Sequence, residues 1–159
     1  MPETTGSSLL ALRARILNAL ERLSWVPLLL GRLSVGLLFM STGWGKVHNI
    51  PKVTAFFERL GIPAPGFHAV LVGYSELLCG TALVIGLLSR LATIPLIVSM
   101  TVALLTAKRA DIHGIFDLVG QDEFTYWVML VILAFFGPGR AAIDHAIGKR
   151  LDAATPRRV

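Results

Sequence analysis

The sequence predicts an all-α, polytopic membrane protein: an antiparallel bundle of four transmembrane helices with short interfacial helices. Three observations predict it. Of 159 residues, 54% are of the types AVILMFWYC and only 16% are DEKR, against about a quarter charged in soluble domains. The mean hydropathy is +0.68, which means more apolar surface than one soluble core of this size can hide. Four apolar runs recur along the chain, each bounded by charged or Pro/Gly-rich connections. The apolar composition excludes disorder, and the single cysteine, Cys79, excludes a disulfide scaffold.

Residues 1–24 come first, as an amphipathic helix. Over Ser8–Leu23, the residues Leu9, Leu12, Ile16, Leu20 and Leu23 make one stripe, with Arg13, Arg15 and Arg22 largely off it. That is the pattern of a helix lying on a membrane surface; the alternative is a simple extension of the first span. No short apolar stretch leads into a cleavage site, so the first span reads as an anchor and not as a removed signal.

The four-span domain covers residues 25–139. Span one, about 25–42, carries Arg32 alone, span two, about 67–88, carries Glu76 alone, and span three, about 91–107, carries no charge. Crossing the hydrocarbon takes about 20 residues, and all three qualify. Span four, about 124–138, is shorter and opens on Phe124, Tyr126 and Trp127; it needs flanking residues or a thinner bilayer. Pro27 falls in a first turn, where proline is tolerated, and Pro95 predicts a mild kink. Only Ser89 and Arg90 separate spans two and three, which requires a tight hairpin. Pro51–Gly66 reads as a short interfacial or re-entrant helix. In the tail, 140–159, Ile143, Ile147 and Leu151 recur every four residues beside Lys149 and Arg150, a second surface helix.

A net charge of +5 and a pI near 10.0 invite a nucleic-acid reading, but the distribution argues for lipid. An even number of spans puts both termini and the span two–three turn on one side. That side holds Arg13, Arg15, Arg22, Arg90, Arg140, Lys149, Arg150, Arg157 and Arg158. The other holds Lys46, Lys52, Arg59, Lys108 and Arg109, balanced by five acids. Cationic loops stay inside, so both termini are expected in the cytoplasm, with no nucleic-acid partner.

Arg32 and Glu76 are the sharpest chemical features. Each costs roughly 2.5–3.5 kcal/mol to place in hydrocarbon and so calls for a partner or a function. Measured from outer ends at Thr42 and Phe67, both lie about 14 Å deep at 1.5 Å per residue, which predicts that they pair. Arg32, Gly36, Met40 and Gly43 share one face of span one, and Gly73, Glu76 and Gly80 one face of span two; small residues let helices approach closely. Such a pair either fixes helix docking or, with Tyr74 nearby, forms a polar pocket for a quinone head or a proton. Lys46 and His48 stand at the outer mouth, where a lone lysine ordinarily snorkels to headgroups. Asp111, His113 and Asp117 gather in the third loop with Asp122 and Glu123. Their spacing matches no metal site, and a solvated acidic loop is the expectation. His68, His145 and Cys79 suggest no chemistry, and no soluble-enzyme motif occurs.

The blocks GRLSVGLLFMSTGWGKV, FFERLGIPAPG, GYSELLCGTALVIGLLSRLA and EFTYWVMLVILAFFGPGRAAID resemble the DoxX family of small bacterial membrane proteins. The likeness spans about residues 28–147 and rests on Arg32, Gly43, Lys46, Gly61-Ile-Pro63, Glu76, Gly86 to Arg90, Gly137-Pro-Gly-Arg140 and Asp144. The resemblance implies a four-helix bundle in the inner membrane of a bacterial cell and a redox association, as in subunits of a thiosulfate:quinone oxidoreductase. The chain carries no ligand set for haem, copper or iron–sulfur, so redox work requires a diffusible quinone or a partner's cofactor. The expected function is a membrane subunit of a redox complex that anchors a soluble partner and interacts with quinone. The alternatives are an assembly factor or scaffold without a small-molecule site, and a small transporter with Glu76 as proton carrier, which four spans without a repeat make workable only in a homo-oligomer.

Overall fold

A computed structural model describes residues 4–137, 139 and 142–144, with side chains from residue 12 onward. The described residues form helices and turns, with no strand among them. The order is α1 (Thr4–Arg22), α2 (Val26–Val47), α3 (Ile50–Arg59), α4 (Pro65–Ile85), α5 (Ser89–Leu105), a 3-10 turn at Arg109–Asp111, α6 (Ile115–Val119) and α7 (Asp122–Phe136). Proline opens α2, α3 and α4 at the first helical positions, where its missing N–H has no intrahelical partner to lose. Pro95 sits inside α5, which continues through it.

Among the described residues, two stretches are long and apolar enough to cross a membrane, Leu12–Val47, whose apolar part is α2, and Pro65–Ile85. α5 has 17 residues and α7 has 15, about 26 and 22 Å at 1.5 Å per residue. Both are apolar; α5 stands at the lower limit of a full crossing and α7 falls short of it on length alone. The apolar stripe of α1 is uncovered: Leu12, Ile16, Leu20 and Leu23 are all exposed. The predicted second surface helix lies outside the described residues.

α2 packs on α4, α4 on α5, α5 on α7, and α7 more sparsely on α2, which closes a ring of four. Val35, Phe39, Leu83, Ala92, Leu96, Met100 and Leu130 fill its centre. The α2–α4 seam is the tightest contact. A Cβ at Gly43 would strike the Leu77 backbone, and one at Gly80 would lie 2.5 Å from the Met40 nitrogen, so glycine is needed on both sides of the seam for the backbones to meet.

The hairpin between α4 and α5 differs from its prediction. The chain turns at Gly86, Leu87 and Leu88, while Ser89 and Arg90 already belong to α5. Gly86 has φ +74° and ends α4 in the left-handed region, and Leu88 at φ +48° follows it there. A leucine is strained in that region. Contacts from the segment after α7, described below, hold it in place.

Candidate functional site

Residue contacts across the α2–α4 seam set its register. Gly36 faces Val84, Gly43 faces Leu77 and Gly73 faces Val47. Each such pair of numbers totals about 120, so the position level with Arg32 is near Leu88. Glu76 lies twelve positions away, about 18 Å along the helix at 1.5 Å per residue. The structure therefore separates Arg32 from Glu76. Thr42 and Phe67 are not level ends: α2 runs on to Val47, and α4 begins at Pro65, beyond the end of α2.

The partner of Glu76 is Lys46. Its Nζ donates to Oε1 at 2.5 Å and to Oε2 at 2.6 Å. The Ser99 hydroxyl on α5 donates to Oε1 at 3.0 Å, and the Thr42 hydroxyl on α2 lies 3.2 Å from Oε2. A single α4 carboxylate thus gathers donors from two neighbouring helices. Its side chain is 1% exposed against 30% for Lys46, so the ammonium links a buried charge to the surface. The lysine at the helix end is not merely snorkelling outward; it is drawn inward by an anion. On the α7 side, the Trp127 indole donates to the Thr101 hydroxyl at 3.0 Å, which anchors an aromatic side chain against the core.

Tyr74 is not part of this cluster. It is 49% exposed, because a residue two positions from Glu76 projects from the far side of the helix. His48 caps α2, with its ring 4.1 Å from that of Trp44 and its Nδ1 2.9 Å from the Trp44 carbonyl oxygen; it makes no hydrogen bond to Glu76. In the third loop, Asp117 Oδ2 accepts the His113 N–H at 3.0 Å, and Asp111 is exposed in the 3-10 turn. Among the described residues, no group of three or more His, Cys, Asp or Glu is placed to hold a metal.

Arg32 belongs to a second polar centre at the hairpin end. It is 2% exposed, with Nη1 against Gly86 and within electrostatic reach of Asp144. Asp144 accepts the Leu88 N–H at 2.7 Å and the Ser89 N–H at 2.9 Å, and its own N–H donates to the Gly86 carbonyl at 3.0 Å. From α5, Arg90 donates to the Phe135 carbonyl at 3.2 Å and lies against Gly137. The two helices exchange caps: an acid after α7 covers the N-terminus of α5, and a base from α5 covers the C-terminus of α7. Both contacts match the helix dipoles.

Of the residues that carried the family resemblance, Gly43, Lys46 and Glu76 meet in one cluster, and Arg32, Gly86, Leu88 to Arg90, Gly137 and Asp144 in the other, while Gly61-Ile-Pro63 lies outside both. The DoxX family profile matches residues 27–109. The chain belongs to the DoxX family. It is 36% identical to the membrane protein Rv3486 of Mycobacterium tuberculosis, over 79% of this chain and 84% of that protein. It is 28% identical to the inner membrane protein YqjF of Escherichia coli, over 82% and 99%. CatD of Bacillus subtilis, whose name assigns it provisionally to the oxidoreductases, is 27% identical over 76% and 87%. No solved structure matches the chain. This DoxX chain is accordingly a membrane protein in contact with lipid.

Thr42, Ser99 and the Lys46–Glu76 contact were missed from sequence. A signal was present: interleaving the glycines of the two faces, Gly36 and Gly43 against Gly80 and Gly73, puts Glu76 opposite the last turns of α2 and not opposite Arg32.

Proposed function

We propose that this chain is a multi-pass inner-membrane subunit of a redox complex, with α2, α4, α5 and α7 crossing the bilayer and the Lys46–Glu76 centre receiving the head of a quinone. Glu76 carries the reading. A carboxylate that is fully buried in apolar helices is expensive, and the glycine seam already docks α2 on α4 without it. Lys46, Ser99 and Thr42 supply donors suited to quinone carbonyl oxygens, and Glu76 is placed to hold the proton that reduction of such a carbonyl consumes. The electrons come from the cofactor of a protein partner. The provisional oxidoreductase name of CatD supports the reading, as does the charge asymmetry that puts both termini in the cytoplasm, where the tail and α1 would anchor a soluble partner.

Purification in mild detergent followed by solvent extraction tests this. The wild type is expected to carry quinone, and folded Lys46→Met or Glu76→Gln protein is expected to lose it. One observation favours the scaffold reading: the Glu76 oxygens already have donors within the chain. A wild-type bundle that holds a stoichiometric partner and no quinone would decide for the scaffold.

A further inference from the structure

The acids of the third loop point to a solvated segment, and their contacts point elsewhere. Lys108 and Glu123 meet at 3.5 Å across its base. Asp117 is turned back onto the loop, where it accepts the His113 N–H. The apolar residues between them point away from the protein: Phe116 is 89% exposed, Ile115 67% and Val119 55%. A short helix that engages its acid with its own backbone and extends three large apolar side chains outward is arranged for an apolar environment.

The surroundings identify that environment. Val102 and Leu105, in the last turns of α5, are exposed and lead into the loop, so the uncovered apolar surface of the helix continues through it. Trp44 at the end of α2 and Phe67 at the start of α4 are exposed at the same end of the bundle, the placement of an interfacial aromatic belt. Lys108 and Arg109 precede α6; Arg109 is exposed and supplies a cation for lipid phosphates beside the Lys108–Glu123 pair. We propose that α6 is seated in the boundary between headgroups and acyl chains, with Ile115, Phe116 and Val119 in lipid and Lys108 and Arg109 at the phosphate level. The loop is then a monotopic contact that holds the end of the bundle nearest Lys46 against one leaflet.

The test uses the full chain in phospholipid vesicles, with a nitroxide at Phe116→Cys in a Cys79→Ala background. Collision with oxygen, which concentrates in lipid, is compared with collision with a water-soluble nickel chelate. Leu78→Cys, on the exposed face of α4, is the lipid reference, and Asp111→Cys is the water reference on the same loop. The oxygen-to-nickel ratio at 116 should approach that at 78 and exceed that at 111 several-fold. A ratio like that at 111 overturns the proposal, and so does shielding from both relaxers, which would mean that protein covers α6. If the Phe116 variant does not insert, Val119→Cys makes the same reading.

Discussion

Glu76 and Asp144 are both carboxylates drawn out of water by donors from other elements, and each has a basic residue beside it. What holds them differs. Glu76 is fully buried and depends on three side chains, a lysine and two hydroxyls, from two neighbouring helices. Asp144 is half-buried and takes two backbone amides of one helix N-terminus. Backbone amides cannot rotate away, so the Asp144 contacts are part of the architecture. The donors of Glu76 all swing on rotatable bonds, and the strongest of them already reaches the surface. A site that must accept a ligand or a proton needs donors that can let go. That difference is why the functional proposal rests on Glu76, while Asp144 is assigned to holding the helices together.

The largest effect should come from breaking the buried pair. Lys46→Met leaves a carboxylate in hydrocarbon with two hydroxyls, and stranding one member of a buried pair costs about 3–5 kcal/mol. Glu76→Gln should cost distinctly less, because Lys46 can turn to the surface it already touches. The double change Lys46→Met with Glu76→Leu should recover much of the loss, since neither charge remains. Unfolding in mixed detergent micelles would read all three. Equal losses in the two single variants would contradict the idea that Lys46 alone has an exit, and additive losses in the double would deny the coupling.

Next in size is the seam that frees the pair from a docking role. Gly43→Ala and Gly80→Ala each force a methyl group into the backbone of the facing helix, and overpacking of this kind costs typically 1–3 kcal/mol. Gly45 has nothing within 4 Å, so Gly45→Ala should be neutral or stabilise by about 0.5–1 kcal/mol. If Gly43→Ala proves as harmless as Gly45→Ala, the register argument that separates Arg32 from Glu76 loses its footing.

That register marks where sequence reasoning ends. Helical character, the apolar runs and the two intramembrane charges are legible because burial in lipid filters composition and because ionised residues stand out there. The pairing was not legible from depth, since depth counting assumes that apolar runs and helices end together. Trp44, Gly45 and Val47 extend α2 beyond its apolar run, and that extension brings Lys46 rather than Arg32 to Glu76. The Asp144 clasp joins positions 55 and 56 residues apart through backbone amides, and no side-chain pattern announces such a contact.

A smaller effect separates two explanations of the clasp. Removing a side chain that caps a helix N-terminus costs about 0.5–2 kcal/mol, and Asp144→Ala is expected in that range. Asparagine keeps one acceptor oxygen, so it can hold only one of the two amides that Oδ1 and Oδ2 take. If backbone capping is the whole role, Asp144→Asn should lose only part of what Asp144→Ala loses. A loss as large as that of Asp144→Ala would show that the negative charge facing Arg32 contributes beyond the cap.

The smallest effects lie within the Glu76 shell, and geometry ranks them. The Ser99 hydroxyl points its one proton at Oε1 at 3.0 Å. The Thr42 hydroxyl is 3.2 Å from Oε2 and also 3.2 Å from the Phe39 carbonyl oxygen, so one proton serves two acceptors. Typical hydrogen bonds contribute about 0.5–1.5 kcal/mol net, which places Ser99→Ala toward the upper part of that range and Thr42→Val toward the lower. Thr42→Val also keeps the side-chain shape and leaves the Phe39 carbonyl within its helix. The comparison is informative in both directions. A larger loss for Thr42→Val would mean that its proton rests on Glu76, and that α2 supplies two committed donors to the site where the structure shows one lysine and one shared hydroxyl. The expected order, Ser99→Ala above Thr42→Val in a detergent unfolding series, makes α5 the helix that steadies the carboxylate while the lysine moves.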